Sequence, residues 1–230
     1  MTPKEPLLVL RNVAKNYEEG GQQNIVYRNL NARFEVSERV ALLGRSGCGK
    51  TTLLNLVSGI DLPDAGSIMI KGIDVTALDE TERTLFRREN IGFIFQFFNL
   101  IPTLTVLENL LLPLELTEKN TPRGKEYALA LLDEVGLAHR VNSFPETMSG
   151  GEQQRVAIVR ALVHDPVLIL ADEPTGNLDS ETSEHILSLL DAMLNKTRAS
   201  LLMVTHSLET ASITDRVLTV HDGQLSAVAE

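Results

Sequence analysis

A glycine-rich loop between a short apolar run and a helical pattern constrains the fold of this chain more than any other feature. The run Val40–Leu43 is apolar at consecutive positions, as expected of a strand that is buried on both faces. The following loop matches GxxxxGK followed by Ser or Thr, in which glycines let several backbone N–H groups point at one anion. A helical pattern over 50–58 adds the positive end of its dipole. This order of strand, loop and helix predicts an α/β fold with a phosphate-binding site.

Nucleotide-binding roles are predicted for the loop and for the first turn of its helix. The Lys50 ammonium can reach the β- and γ-phosphates, and the Thr51 hydroxyl can bind Mg²⁺. The alternative is a glycine-rich turn that only caps a helix, and the preceding strand argues against it. The residues assigned to the phosphate site are Gly44, Arg45, Ser46, Gly47, Cys48, Gly49, Lys50, Thr51 and Thr52.

Along the whole chain of 230 residues, short apolar runs alternate with helical patterns. The alternation predicts a mostly parallel core sheet, whereas the segments 7–36 and 66–72 predict an antiparallel β subdomain near the N-terminus. Helical patterns dominate 97–165, so we expect a single domain, 1–230, in which a helical subdomain is inserted. The predicted strands are Leu7–Val9, Val40–Leu43, Ile68–Ile70, Ile91–Phe95, Val167–Ala171, Leu201–Thr205 and Val217–Val220, and the predicted helices cover 50–58, 125–135, 152–163 and 180–195.

Polar side chains directly follow three further predicted strands. They are Gln96, the pair Asp172 and Glu173, and His206. Because ligands of open α/β sheets bind outside the carboxyl ends of the strands, we expect these side chains near the phosphate loop. Asp172 is a candidate Mg²⁺ ligand, and Glu173 is a candidate general base that polarises the water attacking the γ-phosphate.

The two remaining strand-end residues have both a functional and a structural interpretation. The Gln96 amide can reach Mg²⁺ or the attacking water, and His206 can donate a hydrogen bond to the γ-phosphate. Taken singly, the first could be an ordinary loop residue and the second a strand-end histidine. Their shared placement favours the functional interpretation.

A second glycine-containing segment begins the predicted helix over 152–163. Ser149 and Glu152 match a capping box, which explains these two residues structurally. Gly150 and Gly151 do not help a cap, and they leave the N–H groups at the helix start open to an anion. Because the segment lacks a lysine, this anion site is incomplete alone. A twofold dimer could bring it against the phosphate loop of the other chain.

Together and in this order, these motifs resemble the nucleotide-binding subunit of ATP-binding cassette (ABC) transporters, over essentially the whole chain. The resemblance implies a P-loop NTPase cassette with ATP and Mg²⁺ as cofactors, and a homodimer that encloses two ATP molecules. It also implies that Tyr17 stacks on adenine and that Asp179 lies in a loop at the dimer interface. The family signature usually begins Leu-Ser-Gly-Gly-Gln, whereas Met148 and Glu152 stand at its first and last positions here. The serine and both glycines are kept, so phosphate contact is still expected.

Two longer segments narrow the resemblance. Glu173–Asp179 and Ile101–Asn109 resemble the subfamily of lipoprotein-releasing and macrolide-exporting ATPases. This implies an integral-membrane permease with four helices and a large extracytoplasmic domain, and a place at the cytoplasmic face of the inner membrane. The apolar run Phe97–Pro102 is the expected permease contact, with Phe98 and Leu100 as its test positions.

Charge and composition limit the alternatives. A net charge of −10 at pH 7 argues against a nucleic-acid partner, because phosphate contacts need a basic face. A single cysteine excludes a disulfide framework and a cysteine-rich zinc site. No apolar stretch approaches the about 20 residues that a spanning helix needs, so membrane attachment is expected only through a partner. The alternatives are a mechanical signalling ATPase that regulates a membrane partner without transport, as in cell division, and a soluble ABC ATPase that acts on DNA or the ribosome.

Overall fold

The computed structural model describes residues 6–20, 22–45, 47–221 and 223–227. Its strands are β1 (Leu8–Glu19), β2 (Gln22–Phe34), β3 (Arg39–Leu43), β4 (Ala65–Ile70), β5 (Ile73–Asp74), β6 (Ile91–Phe95), β7 (Leu168–Asp172), β8 (Ser200–Thr205), β9 (Arg216–His221) and β10 (Gln224–Ala227). Its α-helices are α1 (Lys50–Ser58), α2 (Glu80–Asn90), α3 (Val106–Leu116), α4 (Pro122–Glu134), α5 (Gly150–Leu162), α6 (Ser180–Thr197) and α7 (Leu208–Ala211). The described residues form two compact units, one from 1–87 and 200–230 and the other from 88–199.

The first unit contains the antiparallel sheet that the sequence predicts near the N-terminus. Its strand order is β2-β1-β4-β5, and every neighbouring pair is antiparallel. Register shifts interrupt the pairing of β1 with β2 after Leu10, which bends these two long strands. Leu8, Leu10 and Tyr27 are almost completely buried in this unit. The predicted antiparallel subdomain is confirmed.

Parallel strands form the core of the first unit. β3 pairs in parallel with both β8 and β9, while β10 runs antiparallel to β9. All six residues of β8 are buried, and Val40–Leu42 of β3 are fully buried. Consecutive burial is what the unbroken apolar runs predicted, because both faces of such a strand are covered.

The second unit combines one parallel strand pair with helices. β6 pairs in parallel with β7, and α5 packs against β6. Four consecutive residues of α5, Val156–Val159, are completely buried, so this helix lies in the interior of the unit. The predicted α/β class with a largely parallel core and a helical region is confirmed.

The helices α2 and α7 were not predicted from the sequence, and α3 was expected only as part of the helical region 97–165. α2 covers 80–90, where Phe86 is the one buried side chain of the helix, so the apolar periodicity that identifies a helix is missing. Among the described residues, no helix is both long enough and apolar enough to cross a membrane.

Close packing of α5 on β6 yields a stability prediction. A Cβ atom at Gly92 would lie 2.1 Å from the Ala161 carbonyl oxygen and 2.7 Å from Ile169 Cδ1. Gly92→Ala should therefore lower the free energy of unfolding by about 3 kcal/mol, because the helix must move off the strand. The measurement is urea denaturation.

Gly72→Ala is the control, because a Cβ there meets no atom within 4 Å although φ is 75°. It should cost about 1 kcal/mol from backbone strain alone. Equal losses in the two variants would contradict the close-packing explanation.

Candidate functional site

The phosphate loop leaves β3 and curls toward the start of α1. Gly47 and Gly49 have φ angles of 79° and 102°, in the region that favours glycine. A Cβ at Gly49 would also lie 2.6 Å from Val26 Cγ1, so a side chain is excluded there by space as well as by conformation. Ser46, which the sequence assigns to this loop, lies outside the described residues.

The Lys50 side chain lies inside the curl of the loop. Its ammonium donates to the carbonyl oxygens of Gly44, at 2.7 Å, and Arg45, at 2.9 Å, and the residue is only 9% exposed. A positive charge is therefore held at the N-terminus of α1, where the helix dipole has the same sign. Thr51 is exposed and Thr52 is half-buried in the first turn of the helix. This concentration of positive potential suits a phosphate group.

Tyr27 supports the loop from β2, and sequence reasoning missed it. Its hydroxyl donates to the Gly49 carbonyl oxygen at 2.9 Å, and the side chain is fully buried. Burial raises the pKa of Tyr27 well above its ordinary value, so the phenol stays protonated and remains a donor. The sequence offered one signal, an aromatic residue inside the predicted antiparallel segment.

Tyr17 lies beside the first turn of α1. Its hydroxyl donates to Asp61 Oδ2 at 2.7 Å, and burial followed by this hydrogen bond raises the pKa of Tyr17. Lys15 forms an ion pair with Asp61 Oδ1 at 2.7 Å and lies 5.0 Å from the centre of the Tyr17 ring. The hydroxyl of Tyr17 also interacts with the Thr52 side chain. The ring is thus held in one place next to the phosphate loop.

His206 follows β8 at the same edge of the sheet from which the phosphate loop follows β3. In the parallel pairing of β3 with β8, Leu43 is opposite Thr205, so Gly44 and His206 follow neighbouring strand ends. The His206 side chain is exposed. In the first unit, the structure therefore brings together Tyr17, the phosphate loop and His206.

Gln96 is joined to the loop that follows β7. Its carbonyl oxygen accepts a hydrogen bond from Asn177 Nδ2 at 2.8 Å, and its Nε2 donates to Asn177 Oδ1 at 3.4 Å. Phe95 pairs with Asp172 in the parallel register, so Gln96 and Glu173 follow adjacent strand ends. In the second unit, Gln96, Asp172 and Glu173 therefore lie at one edge of the strand pair.

Glu173 has an unusual backbone conformation that α5 helps to hold. Its φ is 46°, which is uncommon for a residue with a side chain and typical of functional positions. The Gly176 N–H donates to the Glu173 carbonyl at 3.0 Å, and Gln154 Nε2 donates to the Pro174 carbonyl at 2.5 Å. Gln154 is completely buried in α5. Sequence reasoning gave this glutamine no role.

The N-termini of α5 and α6 border one groove of about 670 Å³. Ser149 caps α5, and the Asp179 carboxylate caps α6 by accepting the Thr182 N–H at 2.9 Å. This hydrogen bond holds the pKa of Asp179 below its usual value. A Cβ at Gly151 would lie 2.7 Å from Thr182 Cγ2, so the missing side chain lets the two helices approach. The structure brings Ser149, Gly150, Gly151 and Asp179 together along this groove.

The candidate Mg²⁺ ligands are of a suitable chemical kind. Thr51, Gln96 and Asp172 offer hydroxyl, amide and carboxylate oxygens, which a hard cation prefers. In the described part of the chain, no group of three or more His, Cys, Asp and Glu side chains could hold a metal ion. Mg²⁺ commonly takes few protein ligands together with substrate phosphates, so each of these side chains is of a kind that suits the ion.

The support of the phosphate loop by Tyr27 leads to a second prediction. Tyr27→Phe removes the donor to Gly49 but keeps the aromatic packing, and it should lower the free energy of unfolding by about 1 kcal/mol. Tyr127→Phe is the control, since no described residue accepts a hydrogen bond from that hydroxyl. It should lower the free energy of unfolding clearly less than Tyr27→Phe. Thermal unfolding of both variants tests this, and equal stabilities of Tyr27→Phe and the original chain would contradict it.

Comparisons with known proteins agree with this geometry. The family model described as ABC transporter matches residues 27–176. The chain is 49% identical over 222 residues to the uncharacterized ABC transporter ATP-binding protein Rv0986 of Mycobacterium tuberculosis, covering 96% of this chain and 90% of that protein. It is 43% identical to the lipoprotein-releasing system ATP-binding protein LolD of Pseudomonas fluorescens, covering 98% and 99%.

A solved structure supports the same conclusion. The dimeric structure of the ATP-binding cassette MJ0796 in a post-hydrolysis state, bound to ADP and Pi, superposes with a TM-score of 0.86 at 38% identity. The match covers 97% of this chain and 99% of that one. The resemblance identified in the sequence is confirmed: the chain belongs to the ABC transporter family, as an ATP-hydrolysing subunit that powers a membrane transport complex.

Proposed function

We propose that the chain powers an export or extrusion complex of the lipoprotein-release or efflux type. The observation that carries this proposal is the groove at the N-termini of α5 and α6, which we interpret as an anion site; its lining includes Arg155 but no lysine. A site of this kind needs a second chain that carries a phosphate loop. Similarity to LolD over nearly the full length of both chains favours the exporter group. In this proposal, residues 1–230 form one ATP-binding domain with the helical subdomain inserted over 97–165.

Individual roles follow from the chemistry of each residue. Tyr17 stacks on adenine, the loop from Gly44 to Thr52 binds the phosphates, and His206 contacts the γ-phosphate. Glu173 acts as the general base toward the attacking water. Thr51, Gln96 and Asp172 would hold Mg²⁺, which neutralises phosphate charge when bound.

Two chains enclose two ATP molecules in the proposed active state. Each ATP lies between the phosphate loop of one chain and the segment Ser149–Glu152 of its partner. The dimer of MJ0796 with ADP and Pi supports this arrangement by similarity.

The third prediction tests the base and the dimer together. Glu173→Gln removes the base but keeps the side-chain volume, so turnover should fall by about 100-fold or more while ATP still binds. In size-exclusion chromatography, ATP should shift this variant from monomer to dimer. Adding Ser149→Arg should block the shift, because a bulky side chain then occupies the groove.

Glu184→Gln is the matched control, since this exposed carboxylate lies on α6. It should leave turnover unchanged. Near-normal hydrolysis by Glu173→Gln would remove Glu173 from the role of base. Dimerisation despite Ser149→Arg would argue against the enclosed-nucleotide arrangement.

We further propose that the loop after Gln96 contacts the permease. Phe97 is 72% exposed and Ile101 is 37% exposed, whereas Phe98 and Leu100 are half-buried. A Cβ at Gly150 would lie 3.5 Å from Phe98 Cζ, so the ring of Phe98 packs toward α5. The exposed pair is therefore the better docking candidate. The permease itself is proposed to be of the four-helix type with a large extracytoplasmic domain, holding this subunit at the cytoplasmic face of the inner membrane.

Side chains from two helices, α5 and α3, hold the backbone of the loop after Gln96 in place. Arg160 donates to the carbonyl oxygens of Asn99 and, at 2.9 Å, Phe98, the two residues of this loop with positive φ. Asn109, which is 1% exposed, donates to the Ile101 carbonyl at 3.1 Å and accepts the Ile101 N–H at 2.8 Å. A rigid loop that presents apolar side chains is suited to a partner surface.

The fourth prediction tests this contact. Phe97→Asp and Ile101→Asp should each abolish co-purification with the permease from detergent-solubilised membranes, while ATP affinity of the isolated chain stays within about twofold, because charge there opposes burial. Phe144→Asp, at another exposed aromatic residue, should leave assembly intact. Normal assembly of both loop variants would place the interface elsewhere. Mass spectrometry of the co-purified permease also separates an exporter from a signalling ATPase.

A further inference from the structure

The start of α5 carries a carboxylate close to the proposed phosphate contact. Glu152 occupies the third position of the helix, where the family usually has an amide, and its side chain is 15% exposed. Such a charge opposes phosphate binding. The helix N-terminus supplies about half a positive charge, and a carboxylate in the first turn more than cancels it.

Both oxygens of this carboxylate are occupied. Glu152 Oε2 accepts the Ser149 N–H at 2.8 Å, which completes the capping box. Glu152 Oε1 accepts Arg140 Nε at 3.0 Å. The hydrogen bond from the Ser149 backbone, together with Arg140, lowers the pKa of Glu152 despite partial burial. The group is therefore ionised at neutral pH, and Arg140 is the cation paired with it.

Arg140 reaches Glu152 from a separately anchored segment. It ends a 3-10 turn, Ala138–Arg140, in which its N–H donates to the Leu137 carbonyl at 2.8 Å. Its carbonyl accepts the Ser143 N–H at 2.8 Å. The backbone of Arg140 is therefore anchored independently of the capping box that its guanidinium contacts.

We infer that Arg140 is a positioning residue that neutralises Glu152, so that the N-terminus of α5 can accept a phosphate of the ATP bound by a partner chain. This inference rests on the proposed function. With Arg140 in place, the charge of Glu152 is offset, so the positive end of the helix dipole, about half a charge, is no longer cancelled by this carboxylate. Without it, Glu152 repels the nucleotide. The Arg140 side chain is 34% exposed, and an ion pair this exposed contributes little to folding. A defect from its loss should therefore appear in nucleotide use rather than in stability.

A double-mutant cycle tests the inference in the purified chain, with ATP hydrolysis and thermal unfolding as readouts. Arg140→Gln should raise KM for ATP by about tenfold or more, since an unpaired charge then faces the phosphate, while kcat and Tm change little. Glu152→Gln alone should lower KM rather than raise it, because the amide keeps the cap hydrogen bond while Arg140 becomes an unpaired positive charge beside the phosphate. The double variant should return close to the KM of the original chain, because the two opposite charges are then removed together. Arg140→Lys should stay close to the original chain, because it keeps the charge.

The outcomes that overturn the inference are specific. A double variant as impaired as Arg140→Gln would show that Arg140 does not act through Glu152. An unchanged KM in Arg140→Gln would show that no neutralisation is needed. Arg123→Gln removes an equal charge from the exposed start of α4, and a KM rise as large as that of Arg140→Gln would assign the effect to net charge. An original chain without ATPase activity would overturn the proposed function itself, and the inference with it.

Discussion

The packing of α5 against β6 is the constraint on which most of the second unit depends. Gly92 allows this approach because any Cβ there would overlap the Ala161 carbonyl oxygen. Once α5 is fixed, its polar side chains reach three different loops. Gln154 holds the turn after Glu173, Arg160 holds the loop after Gln96, and Arg155 donates to the Val135 carbonyl at 2.9 Å. One buried helix therefore sets the positions of several proposed functional segments.

A common physical device shapes the loops of both units. Side-chain donors satisfy backbone carbonyls that no helix or strand pairs, and leaving such groups buried without a partner is costly. Lys50 and Tyr27 do this for the phosphate loop, and Arg160 does it for the loop after Gln96. Burial lowers the pKa of Arg160 to about 10, which still leaves the guanidinium charged at neutral pH. Preorganised loops of this kind lose little conformational entropy when a ligand or partner binds.

Backbone strain is concentrated where the function is proposed. Glu173, Phe98 and Asn99 have positive φ angles. Arg160 donates to the carbonyls of Phe98 and Asn99, and the turn after Glu173 is held by Gly176 and by Gln154. A strained residue persists only when its surroundings hold it in place. At the capping box of α5 the compensation is electrostatic. Arg140 pairs with Glu152 and offsets its negative charge beside the proposed anion site.

The sequence by itself determined the features that depend on local pattern. Three patterns of neighbouring residues predicted the fold class and the candidate residues. They are the glycines before Lys50, the apolar runs that precede Gln96 and Asp172, and the Ser149 cap. The tertiary structure alone decided which side chains support them. Tyr27 lies 22 residues from Gly49, and Arg160 lies 61 residues from Asn99. It also decided that Phe97 rather than Phe98 is exposed, because the left-handed backbone at Phe98 turns its ring toward α5. Contacts over such separations depend on how the chain packs, and no local pattern encodes them.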